Sequence, residues 1–207
     1  SRGLGDVYKR QIIGYPVAGG NISGSQLDCV VFDHIMLEDE KKTSIKNYSS
    51  LIELLNDSKL SAETPYDMLE WIWLHMTVNA AVISTAGKYG DIYNPSKSAE
   101  SLMNSSKYLS EAVLAIRETS KIIEARGVKL KNYRNELLPY KIPSKLAGII
   151  MKKMFRKNEL TRKIMTLHSN LDDLIYVCQS VYEFGKENNI SAPKFYSNFE
   201  KIKEDLS

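Results

Sequence analysis

The fold of this chain is decided by residues 66–86, YDMLEWIWLHMTVNAAVISTA. Apolar side chains occur on nearly every side of this stretch, and polar ones such as His75, Thr77 and Asn79 interrupt it singly. A helix that is apolar almost all round belongs in the interior of a domain. The interruptions keep the stretch short of the ~18 apolar residues that a membrane span needs. We therefore predict a buried central helix, with the rest of the chain packed around it.

Helical patterns dominate the chain around this central helix. A short amphipathic helix is predicted at residues 48–56, followed by a brief strand at 60–63 and a helix start at Thr64-Pro65. The downstream helices are predicted at residues 98–126, 145–155, 160–187 and 192–206, the third of them broken near 168–170. Together these patterns indicate a domain of roughly five to seven helices.

The residues upstream of this helical part differ from it in composition. Residues 12–37 contain β-branched runs separated by Gly, Asn and Ser clusters, which predicts two or three short strands with turns. Residues 12–14 are predicted to end one strand, and residues 27–37 form another, entered by a hairpin-like turn at 19–24. Two or three strands do not make a stable sheet alone. We therefore expect these to be the terminal strands of a larger sheet whose earlier strands lie upstream.

The opening residues 1–11, SRGLGDVYKRQ, do not resemble the start of a protein. Codon by codon, they resemble the translation of a transposon-end adapter used in sequencing libraries. We interpret them as a non-native leader and exclude them from the fold. The native chain, on this interpretation, is a C-terminal fragment.

Composition and charge narrow the function classes. The formal net charge is +3, and about +1 without the leader, so electrostatics give no support for a nucleic-acid partner. No segment predicts a membrane partner, and no cluster has metal-ligand spacing. The two cysteines, Cys29 and Cys178, lie in apolar runs and are predicted to be buried, reduced thiols, which fits a cytoplasmic protein.

Four stretches carry a resemblance to a known family. They are GYPVAGG at residues 14–20, LDCVVFDHIML at 27–37, SLIELLNDSKLSAETPYDMLEWIWLHMTVNAAVISTAG at 50–87 and LHSNLDDLIYVCQSVYEFGKENNISAP at 167–193. In this order they resemble the ketopantoate reductase (2-dehydropantoate 2-reductase) family. Its members place a dinucleotide-binding sheet before a helical C-terminal domain. The family's Gly-rich phosphate loop has no counterpart here, because no G-x-G-x-x-G occurs in the chain.

The resemblance implies both a fold and an activity. The fold is mainly α: a helical C-terminal domain of the 6-phosphogluconate-dehydrogenase-like type at residues 46–207, for substrate binding and dimerisation. Residues 12–45 would be the last strands of a truncated NADP-binding α/β domain. The activity would be NADPH-dependent reduction of a small-molecule 2-keto acid, as in pantothenate biosynthesis, in a protein that can form a homodimer. The chain alone is expected to be inactive and not to bind NADPH.

The resemblance also implies positions for the site. In the family, a Lys on the long helix protonates the carbonyl oxygen, and Asn residues follow one and two turns later. Aligning this helix on the family's Trp places the lysine position at Trp73 and the two asparagine positions at Thr77 and Ala81. Aligning it on the asparagine instead places these three positions, the alternative register, at Trp71, His75 and Asn79. Neither contains the lysine, so substrate or activity is expected to differ. His75 is the candidate replacement as general acid, or else a core histidine bonded to a carbonyl. Asn79 would bind the substrate.

Two further candidates lie near the chain's end. Counting back from Ile190 places Asp173 where the family has a catalytic Glu, and Thr161 where it has a substrate-binding Ser. Asp173 is alternatively a solvated carboxylate at the border of its helix. His168 and Asn170 are predicted to cap that helix. A non-catalytic helical module for dimerisation or partner binding remains the alternative function.

Overall fold

The computed structural model describes residues 11–207, apart from the side chains of Asn21 and Ser23. This range contains three β-strands and nine α-helices. The strands are β1 (Gly14–Ser23), β2 (Gln26–Leu37) and β3 (Ser61–Glu63). The helices are α1 (Tyr48–Asp57), α2 (Met68–Tyr89), α3 (Pro95–Asn104), α4 (Ser106–Ala125), α5 (Arg134–Lys141), α6 (Ser144–Lys157), α7 (Glu159–Leu167), α8 (Leu171–Glu187) and α9 (Pro193–Leu206). A 3-10 helix, Leu130–Tyr133, precedes α5. The predicted fold class, strands followed by a mainly helical domain, is confirmed.

The described chain divides into two compact units. The sheet unit comprises residues 11–18 and 31–72, and the helical unit comprises residues 19–30 and 73–207. The leader predicted for residues 1–11 lies, except for Gln11, outside the described residues.

A small mixed sheet brings the strands together. Gly24 and Ser25 connect β1 to β2, and Gly24 has φ +60, a conformation that glycine adopts without steric cost. Strand β3 pairs in parallel with β2, with His34 opposite Ser61. The strand predicted at 27–37 is confirmed. The prediction that residues 12–14 end a strand is wrong, because β1 begins at Gly14 and extends to Ser23. The glycines at 19 and 20, predicted as part of the turn, lie within this strand.

Helix α2 begins at a well-defined cap in the sheet unit. The Asp67 carboxylate accepts hydrogen bonds from the backbone N–H groups of Leu69 and Glu70, both at 3.1 Å. Lys42 Nζ lies 2.9 Å from Asp67 Oδ2 and donates at 2.6 Å to the Tyr66 carbonyl. The Glu70 backbone N–H, and then Lys42, lower the pKa of Asp67. The central helix therefore starts at Met68, three residues after Pro65 of the predicted signal.

The core of the helical unit forms around α2, as predicted. Its Ala80 packs in one cluster with Cys178 of α8 and with Phe195 and Phe199 of α9, all fully buried. Cys178 Sγ approaches the Ala80 carbonyl at 3.5 Å, and burial raises the pKa of this thiol. The prediction for the other cysteine is wrong, because Cys29 is exposed on the hairpin.

A second cluster joins α4 to α6. Phe155 of α6 packs with Leu109 and Ala112 of α4. At Gly148 the two helices approach so closely that a Cβ atom would overlap the Ser106 carbonyl oxygen. The backbone contact at this glycine sets which face of α6 turns towards α4.

The single helix predicted at 98–126 is wrong, because the structure has two helices, α3 and α4. Ser105 between them is extended, and its Oγ accepts a hydrogen bond from the Tyr108 N–H at 3.2 Å. A serine in this role offers the backbone an alternative to a continuous helix. Apolar periodicity continues on both sides of Ser105 and hides the break. Helix α5 was not predicted, and it contains Pro139.

The break predicted near residues 168–170 is confirmed. Asn170 Oδ1 accepts from the Asp172 N–H at 3.1 Å and caps α8, as predicted. His168 does not cap α8: its Nδ1–H donates at 3.0 Å to the Ile164 carbonyl at the end of α7. Among residues 11–207, no helix combines the length and apolar character that crossing a bilayer requires.

Candidate active site

The two registers considered for α2 occupy opposite faces of the helix. Thr77 and Ala81 are 1% and 0% exposed. Thr77 Oγ1 donates to the Trp73 carbonyl at 2.7 Å, and Thr119 of α4 donates to the Thr77 carbonyl at 3.2 Å. These contacts turn Thr77 and Ala81 of that register towards the core.

The other register lies on the less buried face. His75 and Asn79 are one turn apart, so they share a helix face, and both are half-buried. Asn79 has no side-chain hydrogen bond to another residue in the described part of the chain. A half-buried amide in this position retains donors and an acceptor for a ligand. His75 and Asn79 therefore lie on a half-buried face with an amide that is available to a ligand, and their role in a site stays a prediction.

A second histidine lies close enough to His75 to perturb it. Burial lowers the pKa of His75, and the nearby charge of His168 lowers it further. His168 is exposed, and its Nδ1–H is directed to the Ile164 carbonyl. Because a carbonyl only accepts, this bond fixes the proton on Nδ1 and leaves Nε2 without a hydrogen bond to any other described residue, so a ligand can contact it.

The outer part of the β1–β2 hairpin, residues 19–30, is called the hairpin tip here, and it lies against the same histidine. A Cβ atom on Gly19 would lie 2.9 Å from Ile164 Cγ1 and 3.2 Å from His168 Cε1, so a larger residue would need these side chains to move. Lys163 Nζ forms an ion pair with Asp28 Oδ1 at 2.6 Å and attaches the tip to α7. We call His75, Asn79, His168 and Gly19 the two-histidine site.

Two further residues, Thr161 and Asp173, were predicted to belong to the site. Thr161, in the first turn of α7, is half-buried, and its N–H donates to Asn158 Oδ1 at 2.9 Å as part of the α7 cap. Asp173 is exposed in the first turn of α8, where a negative charge suits the helix dipole. Within the described chain, no hydrogen bond or ion pair joins Asp173 to His75 or Asn79. The roles predicted for Thr161 and Asp173 stay predictions.

One prominent contact was missed from the sequence. The guanidinium carbon of Arg126 lies 3.2 Å from the ring centroid of Trp73 and 5.0 Å from that of Phe184. It covers a small pocket that Thr77 and Ser180 also line, and burial lowers the pKa of Arg126. This stacking occurs on the core-facing register of α2, away from the face that carries His75.

The described residues do not fit a dinucleotide phosphate site. Such a site needs a Gly-rich turn from a strand into a helix, whose N–H groups point at the phosphates. Here Gly14, Gly19 and Gly20 lie within β1, and Gly24 turns into a second strand. In residues 11–207, no group of three or more His, Cys, Asp or Glu side chains is arranged to hold a metal ion.

Comparison with known proteins places the fold in a class. Neither a family profile nor a curated protein matches the chain, but its fold is shared with solved oxidoreductases. One is the dimeric ketopantoate reductase from Staphylococcus aureus, with TM-score 0.55 and 11% identity over 93% of this chain. Another is D-mandelate dehydrogenase in complex with NADH, with TM-score 0.55 and 15% identity over 94%. The predicted resemblance to ketopantoate reductase is thus confirmed for the fold. This chain spans 61% of each of those two chains.

Proposed function

We propose that this chain is the substrate-binding part of a nicotinamide-dependent oxidoreductase that reduces a 2-keto acid. The fold shared with two oxidoreductases supports this class. The resemblance favours NADPH as the cofactor and a homodimer as the assembly. Because the described residues do not fit its phosphates, none of them is assigned to holding the cofactor.

The two-histidine site is the observation that carries the proposal. A 2-keto acid presents a carboxylate next to a carbonyl group. The Asn79 amide N–H can donate to the carboxylate, and His75, one turn away on the same face, can hold the proton that the carbonyl oxygen accepts on reduction. An amide and an imidazole at this spacing match a ligand with an anion and a carbonyl side by side.

The protonation state of His75 determines when it can act as a general acid. With a lowered pKa, His75 is mostly neutral at pH 7 in the free protein. A bound carboxylate would stabilise the imidazolium and raise that pKa. The hydride for the carbonyl carbon would come from a bound nicotinamide. The imidazolium would give its proton to the carbonyl oxygen and return to the neutral form. The exposed His168 would supply the next proton from solvent. A histidine pair can in this way replace the lysine that the chain lacks.

Thr161 and Asp173 complete the proposal in subordinate roles. The Thr161 hydroxyl would contact the substrate, since it lies on α7, the helix that His168 follows. Asp173 would interact with the site from the first turn of α8. Alanine variants of these two residues separate their contributions from those of His75 and Asn79.

The experiment is a calorimetric titration of the 207-residue chain with ketopantoate and, in parallel, phenylglyoxylate. We expect His75→Gln and Asn79→Ala each to weaken binding by about tenfold, the equivalent of about 1.4 kcal/mol. The matched control is His34→Gln, which removes a histidine of the sheet unit and should leave the affinity unchanged. Absence of binding at millimolar ligand, or equal losses in all three variants, would contradict the proposal.

A second candidate, the non-catalytic interaction module, is favoured by one observation. Helix α6 exposes Leu146, Ile149, Ile150 and Met154, an unusual apolar surface for a soluble helix. If the chain binds no 2-keto acid, this surface becomes the main functional feature. The two candidates are therefore separated by the titration.

A further inference from the structure

Helix α6 has an apolar surface on both of its faces. Ala147, Gly148 and Phe155 are buried on its inner face. The side chains opposite are unusually exposed: Leu146 48%, Ile149 58%, Ile150 50% and Met154 45%. We call these four residues the α6 outer face. A helix on the surface of a soluble domain normally carries polar groups there.

Positive charge surrounds the α6 outer face. Helix α6 has five cationic residues and no acidic one. They are Lys145, Lys152, Lys153, Arg156 and Lys157. Within the described chain, none of them forms an ion pair. Because the whole chain has a net charge of +3, removing these five leaves a remainder of −2. The excess positive charge of the molecule is therefore concentrated on this one helix.

The positions of these residues around α6 place apolar and cationic side chains on one surface. At 100° per residue, Lys153 falls between Ile149 and Leu146, and Lys157 falls between Leu146 and Ile150. The other three cations line the border beyond Ile149. Long basic side chains can bury their alkyl stems while their charged ends reach the headgroup region. An aliphatic strip with cations between and beside it is typical of a helix lying in a membrane interface.

Two other occupants fit this surface less well. A two-fold dimer places the same surface on both partners, so it would bring five unpaired cations against five. That repulsion disfavours a second copy. A nucleic acid would use the cations but leave the four aliphatic side chains against water, and α6 offers only the buried Phe155 for stacking on bases.

We propose that the α6 outer face docks peripherally on an anionic lipid bilayer. The aliphatic side chains would enter the boundary between headgroups and acyl chains, and the cations would contact anionic headgroups. The absence of a predicted membrane partner rested on the absence of a spanning segment, which an interfacial helix does not need. This proposal is independent of the two-histidine site, which shares no residue with α6.

The test is sedimentation of the 207-residue chain with lipid vesicles. Two compositions are compared, phosphatidylcholine alone and phosphatidylcholine mixed with phosphatidylglycerol. We expect binding to the anionic vesicles only, weakening as salt is raised. The double variants Ile149→Ser/Ile150→Ser and Lys153→Glu/Lys157→Glu should each lower the partition coefficient by about tenfold or more.

Matched controls separate this surface from general effects. Leu54→Ser removes a side chain that is 62% exposed on α1, and Lys129→Glu/Lys131→Glu makes the same charge change outside α6. Both controls should stay within about twofold of the unmodified chain. Circular dichroism and thermal melting establish that every variant is folded.

Several results would overturn the proposal. They are no partitioning onto anionic vesicles, equal partitioning onto phosphatidylcholine alone, and control variants as impaired as the test variants. Light scattering gives another: a dimer that Ile149→Ser/Ile150→Ser converts to a monomer, without change in vesicle binding, would assign the α6 outer face to a second copy. Binding of an acidic protein without any vesicle binding would equally overturn it.

Discussion

Replacing Gly148 by alanine tests how α6 packs on α4. The new Cβ atom would overlap the Ser106 carbonyl oxygen and lie 2.9 Å from the Ser110 backbone nitrogen. Both are main-chain atoms and cannot rotate away, so the helices must separate and loosen the packing of Phe155. Overpacking of this kind costs about 1–3 kcal/mol, whereas replacing a helical Gly with Ala returns about 1 kcal/mol.

We therefore expect Gly148→Ala to lower the free energy of unfolding by up to about 2 kcal/mol. Urea unfolding followed by circular dichroism measures this change. Gly14→Ala is the control: its Cβ would lie 3.4 Å from Leu37 Cδ1, an ordinary contact, so a change within about 0.5 kcal/mol is expected. If Gly148→Ala instead stabilises the chain, as at an uncrowded helix position, the packing described for α6 is wrong.

Three further predictions concern a titrating group, a helix cap and the cofactor. Because the pKa of His75 is lowered on folding from its ordinary 6.5, the unfolded chain binds more protons below that pH, and stability should fall with acidification. In urea titrations between about pH 7 and pH 5, His75→Gln should reduce that fall, and an unchanged pH dependence would count against the lowered pKa. Ser105→Ala removes the α4 cap and should cost about 1 kcal/mol in thermal unfolding, whereas the exposed Ser101→Ala should cost little; equal effects would refute the capping role. The 207-residue chain should not enhance NADPH fluorescence, because it has no Gly-rich phosphate loop, and a micromolar Kd would show this prediction wrong.

Much of the fold was predictable from local sequence signals. The apolar surface of residues 66–86 predicts the central helix because so little of it could face water. Pro193 and Asn170 mark the starts of α9 and α8 through ordinary helix-start chemistry. The two errors of prediction, the missed helix break at Ser105 and the missed helix α5, have a common cause. Apolar periodicity alone does not distinguish a capped break from a continuous helix, nor does it reveal a short helix with little apolar pattern.

The site was predictable only in part. The helical spacing of His75 and Asn79 was visible, but the choice between two registers needed the packing of Thr77 against α4. The proximity of His168 to His75 was not predictable, since they are far apart in the chain and no local pattern couples them. The stacking of Arg126 on Trp73 was missed for the same reason.

The most direct test of the account is a proton NMR titration of the imidazole signals. The chain contains three histidines, His34, His75 and His168, so three titrating signals are expected. The account predicts that the pKa of His75 lies below its ordinary value and that ketopantoate raises it, while the His34 signal does not respond to ketopantoate. If ketopantoate leaves the His75 titration unaltered, or shifts His34 equally, the two-histidine site is not where a 2-keto acid binds.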